Sequence, residues 1–325
     1  MPDPVRSLGR RLLSRLKRGT VGNPHAALLD DRTLAEIAAR VALQRHAAAR
    51  RETRYRHAGD FRSAHLGQGL DYEEARLYQP GDDVRAMDWR TTARTGRPYL
   101  KVYREDHDPA LHLVIDRGPA MRFGTRTCLK ATQAARIAAV LAFDACHGHA
   151  SVGATLWEPE GAVIPAGAGM EFCLQLLRAA GAPCPPPAGA GGQAHWSFAH
   201  LGRRLSVAVP PDARVILISD FGALDEDDLP VLTAMATRYE LHAVRVLDVA
   251  EMELPDIGTA RFRDPGTGAV ADVDTADPAV RAAYQDWRAR RQARLREWFA
   301  HAGVRLHACT TETDPLALLR GMYGP

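Results

Sequence analysis

Residues Leu111 to Met121 read LHLVIDRGPAM, and this stretch decides the fold. Five mostly apolar residues lead to Asp116 and then to a turn that contains glycine and proline. A short apolar run with such an ending is typical of a strand in a sheet covered on both faces. The stretch therefore predicts a buried central strand that brings Asp116 to the edge of a sheet.

A second stretch, Arg214 to Phe221 (RVILISDF), repeats this arrangement and predicts a strand that delivers Asp220. Ligands of open parallel sheets bind outside the carboxyl ends of the strands. If the two strands are neighbours, Asp116 and Asp220 meet in one crevice, where oxygen ligands would suit Mg²⁺. The alternative is that each carboxylate accepts hydrogen bonds from loop amides or caps the following helix.

Strands and helices alternate from residue 111 onward, which predicts an α/β fold with a mostly parallel sheet and helices on both faces. Gly258 and Pro265-Gly266 interrupt the alternation and predict a β-hairpin inserted at about residues 255–274. We therefore predict one α/β domain over residues 109–325. The predicted strands lie near residues 111–116, 151–157, 213–219, 240–247 and 303–309, and the helices near 126–146, 169–180, 195–206, 225–238, 278–301 and 314–321.

Two segments precede this domain: a basic helical region, residues 1–50, and a lobe, residues 51–108. Residues 1–62 hold 14 Lys and Arg against 6 Asp and Glu, a balance of 14 − 6 = +8, so the remainder carries 3 − 8 = −5. Leucines at helical spacing among arginines in residues 1–23 predict a basic amphipathic helix on an anionic membrane surface, or else a frayed terminal helix. Glycines and short alternating segments predict that the lobe is small, β-rich and without helices of its own.

Several classes of protein are disfavoured. No apolar run approaches the roughly 18 residues that a membrane span needs. The motifs GxxxxGK[ST], GxGxxG, HExxH and GxSxG, which mark nucleotide-binding, zinc-protease and α/β-hydrolase sites, do not occur. Five scattered cysteines without a CxxC pair predict reduced thiols. These features predict a cytoplasmic protein, and if residues 1–23 form the basic amphipathic helix rather than a frayed one, we expect peripheral contact with the inner membrane.

The segment from Arg76 to Lys101 interleaves charges of both signs with aromatic residues. Such a segment predicts a charge-paired surface that docks a domain or a protein partner, and a catalytic carboxylate cluster is the alternative. Nucleic acid is disfavoured, because the carboxylates cancel much of the attraction to phosphates. The residues concerned are Arg76, Tyr78, Gly81, Asp82, Asp83, Arg85, Asp88, Trp89, Arg94 and Lys101.

This segment closely resembles the signature of the domain-of-unknown-function-58 family. The resemblance extends from about Phe61 to the C-terminus and includes Ile218 to Phe221 and the spacing from Asp248 to Glu251. It implies a von Willebrand factor A-like domain with the strand order 3-2-1-4-5-6. It also implies a partner, because members of the family are usually encoded beside MoxR-type AAA+ ATPases.

The resemblance further implies a metal-ion-dependent adhesion site, made of DxSxS after the first strand, a threonine from a later loop and an aspartate after the fourth strand. Asp116 and Asp220 match this pattern, but Gly118 and Ala120 stand in place of the serines, and residues 191–197 contain no threonine. Mg²⁺ would lose three oxygen ligands, although it demands near-ideal octahedral coordination. We predict a degenerate site that binds Mg²⁺ weakly at most, and no other cofactor.

The leading interpretation is a non-enzymatic adaptor for a MoxR-type AAA+ ATPase and its client protein, in chaperone-like maturation or assembly of other proteins. Its contact surface would include Arg117, Gly118 and Ala120 at the sheet edge, together with the Arg76–Lys101 segment. One alternative is a metal-assisted hydrolase that uses Asp116 and Asp220 with the cluster Asp82, Asp83 and Asp88. Another is a module that binds anionic surfaces through its basic N-terminus.

Overall fold

The structure is a computed structural model that describes residues 26–56, 71–79, 83–104, 110–158, 161–184, 197–264 and 268–323. The predicted helix of residues 1–23, the residues Gly81 and Asp82, and residues 185–196 of the later loop lie outside the described residues. The chain divides into two compact units, residues 1–48 with 109–325 and residues 49–108.

From residue 111 onward the helices and strands follow the predicted order, with two short additions, a strand at Val163–Gly167 and a helix at Val249–Met252. Up to the first buried strand they are α1 (Asp31–Arg56), β1 (Asp71–Leu77), α2 (Trp89–Thr95), β2 (Tyr99–Arg104) and β3 (Leu111–Asp116). They continue with α3 (Lys130–His147), β4 (Val152–Trp157), β5 (Val163–Gly167), α4 (Met170–Ala180), α5 (Phe198–Ala208), β6 (Arg214–Ser219) and α6 (Leu229–Arg238). The last are β7 (Glu240–Leu247), α7 (Val249–Met252), β8 (Thr259–Arg263), β9 (Val270–Asp274), α8 (Pro278–His301), β10 (Arg305–Thr310) and α9 (Leu316–Tyr323).

The central sheet of the larger unit has six strands in the order β10-β7-β6-β3-β4-β5. Numbered within this sheet alone, the order is 3-2-1-4-5-6, and the predicted von Willebrand factor A-like α/β fold is confirmed. Neighbouring strands are parallel except for the β4–β5 pair. Because β3 and β6 pair directly, with Ile115 opposite Ile218, their following residues emerge at one edge.

Every residue of β3 is buried, which explains its almost unbroken apolar sequence. Leu113 and Ile115 belong to a core cluster with α1, α3, α4 and α9. Val114 points the other way, into a cluster with α5, α6 and α8. Apolar layers on both faces make β3 the centre of the domain.

The edge strand β5 is missing from the sequence prediction. Its five residues include Pro165, and its side chains are only half-buried or exposed. Proline cannot donate to a strand ladder, so it confines a strand to an edge and weakens the apolar signal. Here β5 pairs antiparallel with β4 and closes that side of the sheet.

Helix α1 packs on the larger unit, although the sequence analysis assigns residues 1–50 to a separate region. Leu34, Ile37 and Val41 recur at helical spacing and are buried in the same core cluster as β3. In the described part of the chain, no helix combines the length and apolarity that crossing a membrane requires.

In the smaller unit, β1 and β2 form an antiparallel pair, with Ala75 opposite Lys101. The prediction that this lobe has no helix is wrong, because α2 lies between the two strands. The Asp88 side chain accepts hydrogen bonds from the backbone N–H groups of Arg90 and Thr91, and Gly96 ends the helix with φ of +71°. These are the usual signals of a helix start and stop.

Candidate functional site

Asp116 ends β3 with both carboxylate oxygens engaged by the chain. Its Oδ1 atom accepts a hydrogen bond from the Gly118 N–H at 2.8 Å, and its Oδ2 atom accepts one from the Ser219 hydroxyl at 2.5 Å. Ser219 is the last residue of β6, so this contact joins the ends of the two neighbouring strands. Ser219 is a site residue that the sequence analysis missed.

Asp220 follows in a tight turn. Its Oδ1 atom accepts from the Gly222 N–H at 2.8 Å, and its Oδ2 atom accepts from the Lys130 ammonium at 2.8 Å. Phe221 has φ of +53°, which is unusual for a bulky residue. The Ser219 hydroxyl holds this turn by accepting from the Phe221 N–H at 3.0 Å.

Lys130 lies at the centre of the site with its side chain only 1% exposed. Its Nζ atom makes a second ion pair with Glu251 Oε1 at 2.7 Å. Lys130 is the first residue of α3, where the helix dipole disfavours a cation, so the two carboxylates stabilise an otherwise unfavourable position. The sequence analysis starts this helix near residue 126, so Lys130 did not stand out as the first residue of the helix.

The charges of the cluster do not balance, and the pKa values reflect this. Burial opposes the charge of Lys130, but Asp220 and Glu251 outweigh burial and raise the pKa of its ammonium. Burial would raise the pKa of Asp220, but Lys130 outweighs it and lowers that pKa. Burial and Asp220 together raise the pKa of Asp116 to about 7, and burial also raises the pKa of Glu251. The cluster therefore places three carboxyl groups around one ammonium, which contacts two of them directly.

Asp248 forms a second buried hub beside this cluster. It accepts hydrogen bonds from the N–H and hydroxyl of Thr125, from the Thr311 hydroxyl and from the Ala250 N–H. Its own N–H donates to Glu251 Oε2 at 2.8 Å, which completes a capping box at α7. The spacing from Asp248 to Glu251 therefore orients the carboxylate that pairs with Lys130.

The residues that stand in place of the serines lie in the loop that follows Asp116. Gly118 is buried and begins a short 3-10 helix, Pro119–Arg122, in which Ala120 is half-buried. Arg117 is turned inward with a side chain only 3% exposed, and its guanidinium donates to the carbonyls of Ala182 and Pro183 after α4. Arg117 therefore anchors the β3 loop to the next layer of the fold.

The described residues do not fit a Mg²⁺ ion at this edge. The Lys130 ammonium donates to Asp220 Oδ2. The two Asp116 oxygens accept hydrogen bonds from the Gly118 N–H and the Ser219 hydroxyl. Within the ranges that the structure describes, no group of three or more His, Cys, Asp or Glu side chains is arranged to hold a metal. The Lys130 ammonium therefore pairs with Asp220, one of the two carboxylates to which the resemblance assigns a metal ion.

Stability should fall as pH rises from about 4 to about 7, because folded Asp116 binds a proton that the unfolded carboxyl, with an ordinary pKa of 3.8, has already lost. We expect Asp116→Asn, which stays neutral, to flatten this decline. Relative to the wild type, the variant should gain up to about 4 kcal/mol of unfolding free energy across that window.

Urea unfolding of both proteins between pH 4 and pH 8 measures this gain. Asp225→Asn is the control, because Asp225 is exposed and caps only a surface turn. Parallel stability curves for Asp116→Asn and the wild type would contradict the assignment of the proton to Asp116.

The signature segment lies in the smaller unit, and its described carboxylates serve as caps. Asp83 accepts from the Arg85 N–H at 2.9 Å, and Asp88 caps α2. Trp89 is 67% exposed. Arg76, Arg85 and Arg94 are also exposed, and Tyr78 is half-buried.

Comparison with known proteins finds one matching family model and several related proteins. The model of the family described as "Protein of unknown function DUF58" matches residues 74–294. Uncharacterized proteins of Mycobacterium bovis and Mycobacterium tuberculosis are each 33% identical over 266 residues, which is 80% of this chain and 80% of each relative.

Two solved structures are weakly similar. An aerotolerance-related membrane protein from Bacteroides fragilis has a TM-score of 0.40 at 9% identity, and covers 66% of this chain with 96% of its own. The conserved hypothetical protein BatB from Bacteroides thetaiotaomicron has a TM-score of 0.39 at 12% identity, with the same coverage.

The family model spans more than half of the chain, and it includes both strand ends, Lys130 and the hub at Asp248. The mycobacterial relatives match over four fifths of their own length. With its signature segment in the smaller unit and its von Willebrand factor A-like sheet in the larger, the chain belongs to the DUF58 family.

Proposed function

We propose that this protein is a non-enzymatic adaptor that binds a protein partner through the loops at the carboxyl edge of its sheet. The observation that carries the proposal is the Lys130 ammonium held between Asp220 and Glu251. The carboxylates at this edge are hydrogen-bonded or ion-paired within the chain, and this arrangement fixes the shape of the edge. Among the described residues of this edge, there is no free general base and no nucleophile paired with one.

The surface around the site is formed by the ends of two loops. Arg126 and Thr127 are exposed between β3 and α3, and Gly222 and Ala223 are exposed between β6 and α6. The buried ion pairs and the Asp248 hub tie both loops to the sheet. A loop fixed in its bound conformation loses little entropy on association, which favours recognition of a protein surface.

The partner that we propose is a MoxR-type AAA+ ATPase, or the client on which the ATPase acts. Family membership supports this choice, because proteins with this signature segment are usually encoded beside MoxR-type AAA+ ATPases. Exposed Trp89 in the smaller unit offers a second contact for the same partner, since tryptophan is enriched among the residues that dominate binding energy at interfaces.

The test is binding of the full chain to the MoxR-type ATPase encoded in the same genome, measured by biolayer interferometry with ATP, with ADP and without nucleotide. We expect Ala223→Arg to weaken binding at least about 10-fold, because a bulky charge would enter the centre of the contact. The matched control is Val207→Arg, because Val207 is 90% exposed near the C-terminal end of α5, which leads to the opposite edge of the sheet.

Equal losses in the two variants would reject the carboxyl edge as the contact surface. No binding in any nucleotide state would reject this ATPase as the partner.

A further inference from the structure

Lys130 has the surroundings of a bound cation. Its Nζ atom lies 2.8 Å from Asp220 Oδ2 and 2.7 Å from Glu251 Oε1. The two carboxylates come from different segments, one from the loop after β6 and one from helix α7, and each contributes one oxygen. Their side chains are only 12% and 20% exposed, so the three charges meet largely out of water.

The excess of negative charge persists with the lysine in place. Asp116 lies close enough to Asp220 for their charges to interact, and the two strand ends are joined through Ser219. Arg245 adds a partly buried guanidinium whose Nε donates to the Asp220 carbonyl at 3.3 Å, not to its carboxylate. Removal of the ammonium would therefore leave three carboxyl groups that attract another cation.

We propose that Lys130 takes the place of a divalent cation, and that its side chain closes a latent metal site formed by Asp220 and Glu251. Carboxylate oxygens select small hard ions, so the ligand class is Mg²⁺ or Mn²⁺. The inference deepens the proposed adaptor function, because a built-in cation makes the shape of the contact edge independent of metal. Its test, however, requires no partner protein.

The size of the side chain decides which substitutions open the site. Because Lys130 is almost completely buried, truncation to alanine leaves room for an ion and its waters, whereas methionine removes the charge but fills the space. A bound Mg²⁺ needs oxygens at about 2.1 Å, so Asp220 Oδ2 would have to move inward by about 0.7 Å and Glu251 Oε1 by about 0.6 Å.

The experiment measures Mn²⁺ binding by electron paramagnetic resonance and melting temperature with and without Mn²⁺ or Mg²⁺. We expect Lys130→Ala to bind Mn²⁺ at least about 100-fold more tightly than the wild type, and its Tm to rise by about 3 °C or more with the metal. Lys130→Met should gain no binding, and Asp220→Asn added to Lys130→Ala should abolish the gain.

If Lys130→Ala is unfolded without metal, refolding on addition of Mn²⁺ supports the proposal and failure to refold counts against it. Folded Lys130→Ala that binds Mn²⁺ no better than the wild type overturns it. A second measurement uses the wild type and so does not depend on whether Lys130→Ala folds. The ¹⁵N resonance of the Lys130 ammonium should be unaffected by Mn²⁺, and broadening that disappears in Asp220→Asn would overturn the proposal.

Discussion

Replacement of Lys130 by methionine should lower the free energy of unfolding by about 3–5 kcal/mol, which is the usual cost of removing one partner from a buried ion pair. Methionine fills nearly the same volume, so the loss is electrostatic rather than a packing defect. Asp220 and Glu251 would be left facing each other with no ammonium between them. The effect should exceed that of any exposed ion pair in the described part of the chain.

Urea unfolding at pH 7.5 measures this loss. The control is Arg126→Met, because Arg126 is 67% exposed and lies 3.8 Å from Glu312, and such pairs contribute about 0–1 kcal/mol. The triple variant Lys130→Met, Asp220→Asn, Glu251→Gln should recover most of the stability, because it removes the unpaired charges as well. Equal stability of Lys130→Met and the wild type would show that the ammonium is not needed.

The pH dependence of the same variant follows from the signs of the pKa shifts. The raised pKa of Lys130 means that its stabilisation is fully present below its unfolded pKa of 10.5 and is lost as pH rises from that value through its folded pKa. The lowered pKa of Asp220 means that its stabilisation is present above 3.8 and is lost as pH falls below that value. The penalty of Lys130→Met should therefore be largest near neutral pH and shrink in acid, where both carboxylates take up protons.

The sheet was predictable because each of its parallel strands is marked by neighbouring residues in the sequence. Each parallel strand is a short apolar run, and LHLVIDRGPAM and RVILISDF show both the burial of their strands and the edge where Asp116 and Asp220 emerge. Two elements with weak or conflicting local signals were missed. Strand β5 contains a proline, and helix α2 has only seven residues and depends on caps at Asp88 and Gly96.

The site was predictable only in part, because its chemistry depends on contacts across the chain. Asp116 and Asp220 were identified from their strand ends. The hydrogen bond from Lys130 to Asp220, however, spans 90 residues, and the one to Glu251 spans 121. Arg117 shows the same difficulty, since its sequence position beside Asp116 predicts an exposed charge, whereas carbonyls 65 and 66 residues away draw it inward.

Replacement of Asp248 by alanine should lower the free energy of unfolding by about 3–5 kcal/mol, because it leaves several buried donors without an acceptor. Asp248 is completely buried and accepts from two backbone N–H groups and two hydroxyls. A hydroxyl can rotate to another acceptor, but the N–H groups of Thr125 and Ala250 are fixed by the backbone. Asp248→Asn should lose less, since its one remaining oxygen still accepts from part of this set.

The matched control is Asp277→Ala, which removes the exposed cap of α8 and one backbone hydrogen bond, for a cost of about 1 kcal/mol. A double-mutant cycle between Asp248→Ala and Thr311→Val separates the contact to Thr311, the residue after β10, from the other contacts of Asp248. If Asp248→Ala lowers the free energy of unfolding no more than Asp277→Ala does, the Asp248 hub does not hold the loops in place. A large loss would mean that the loop after β3, the end of β10 and the carboxylate that pairs with Lys130 are held by one buried side chain.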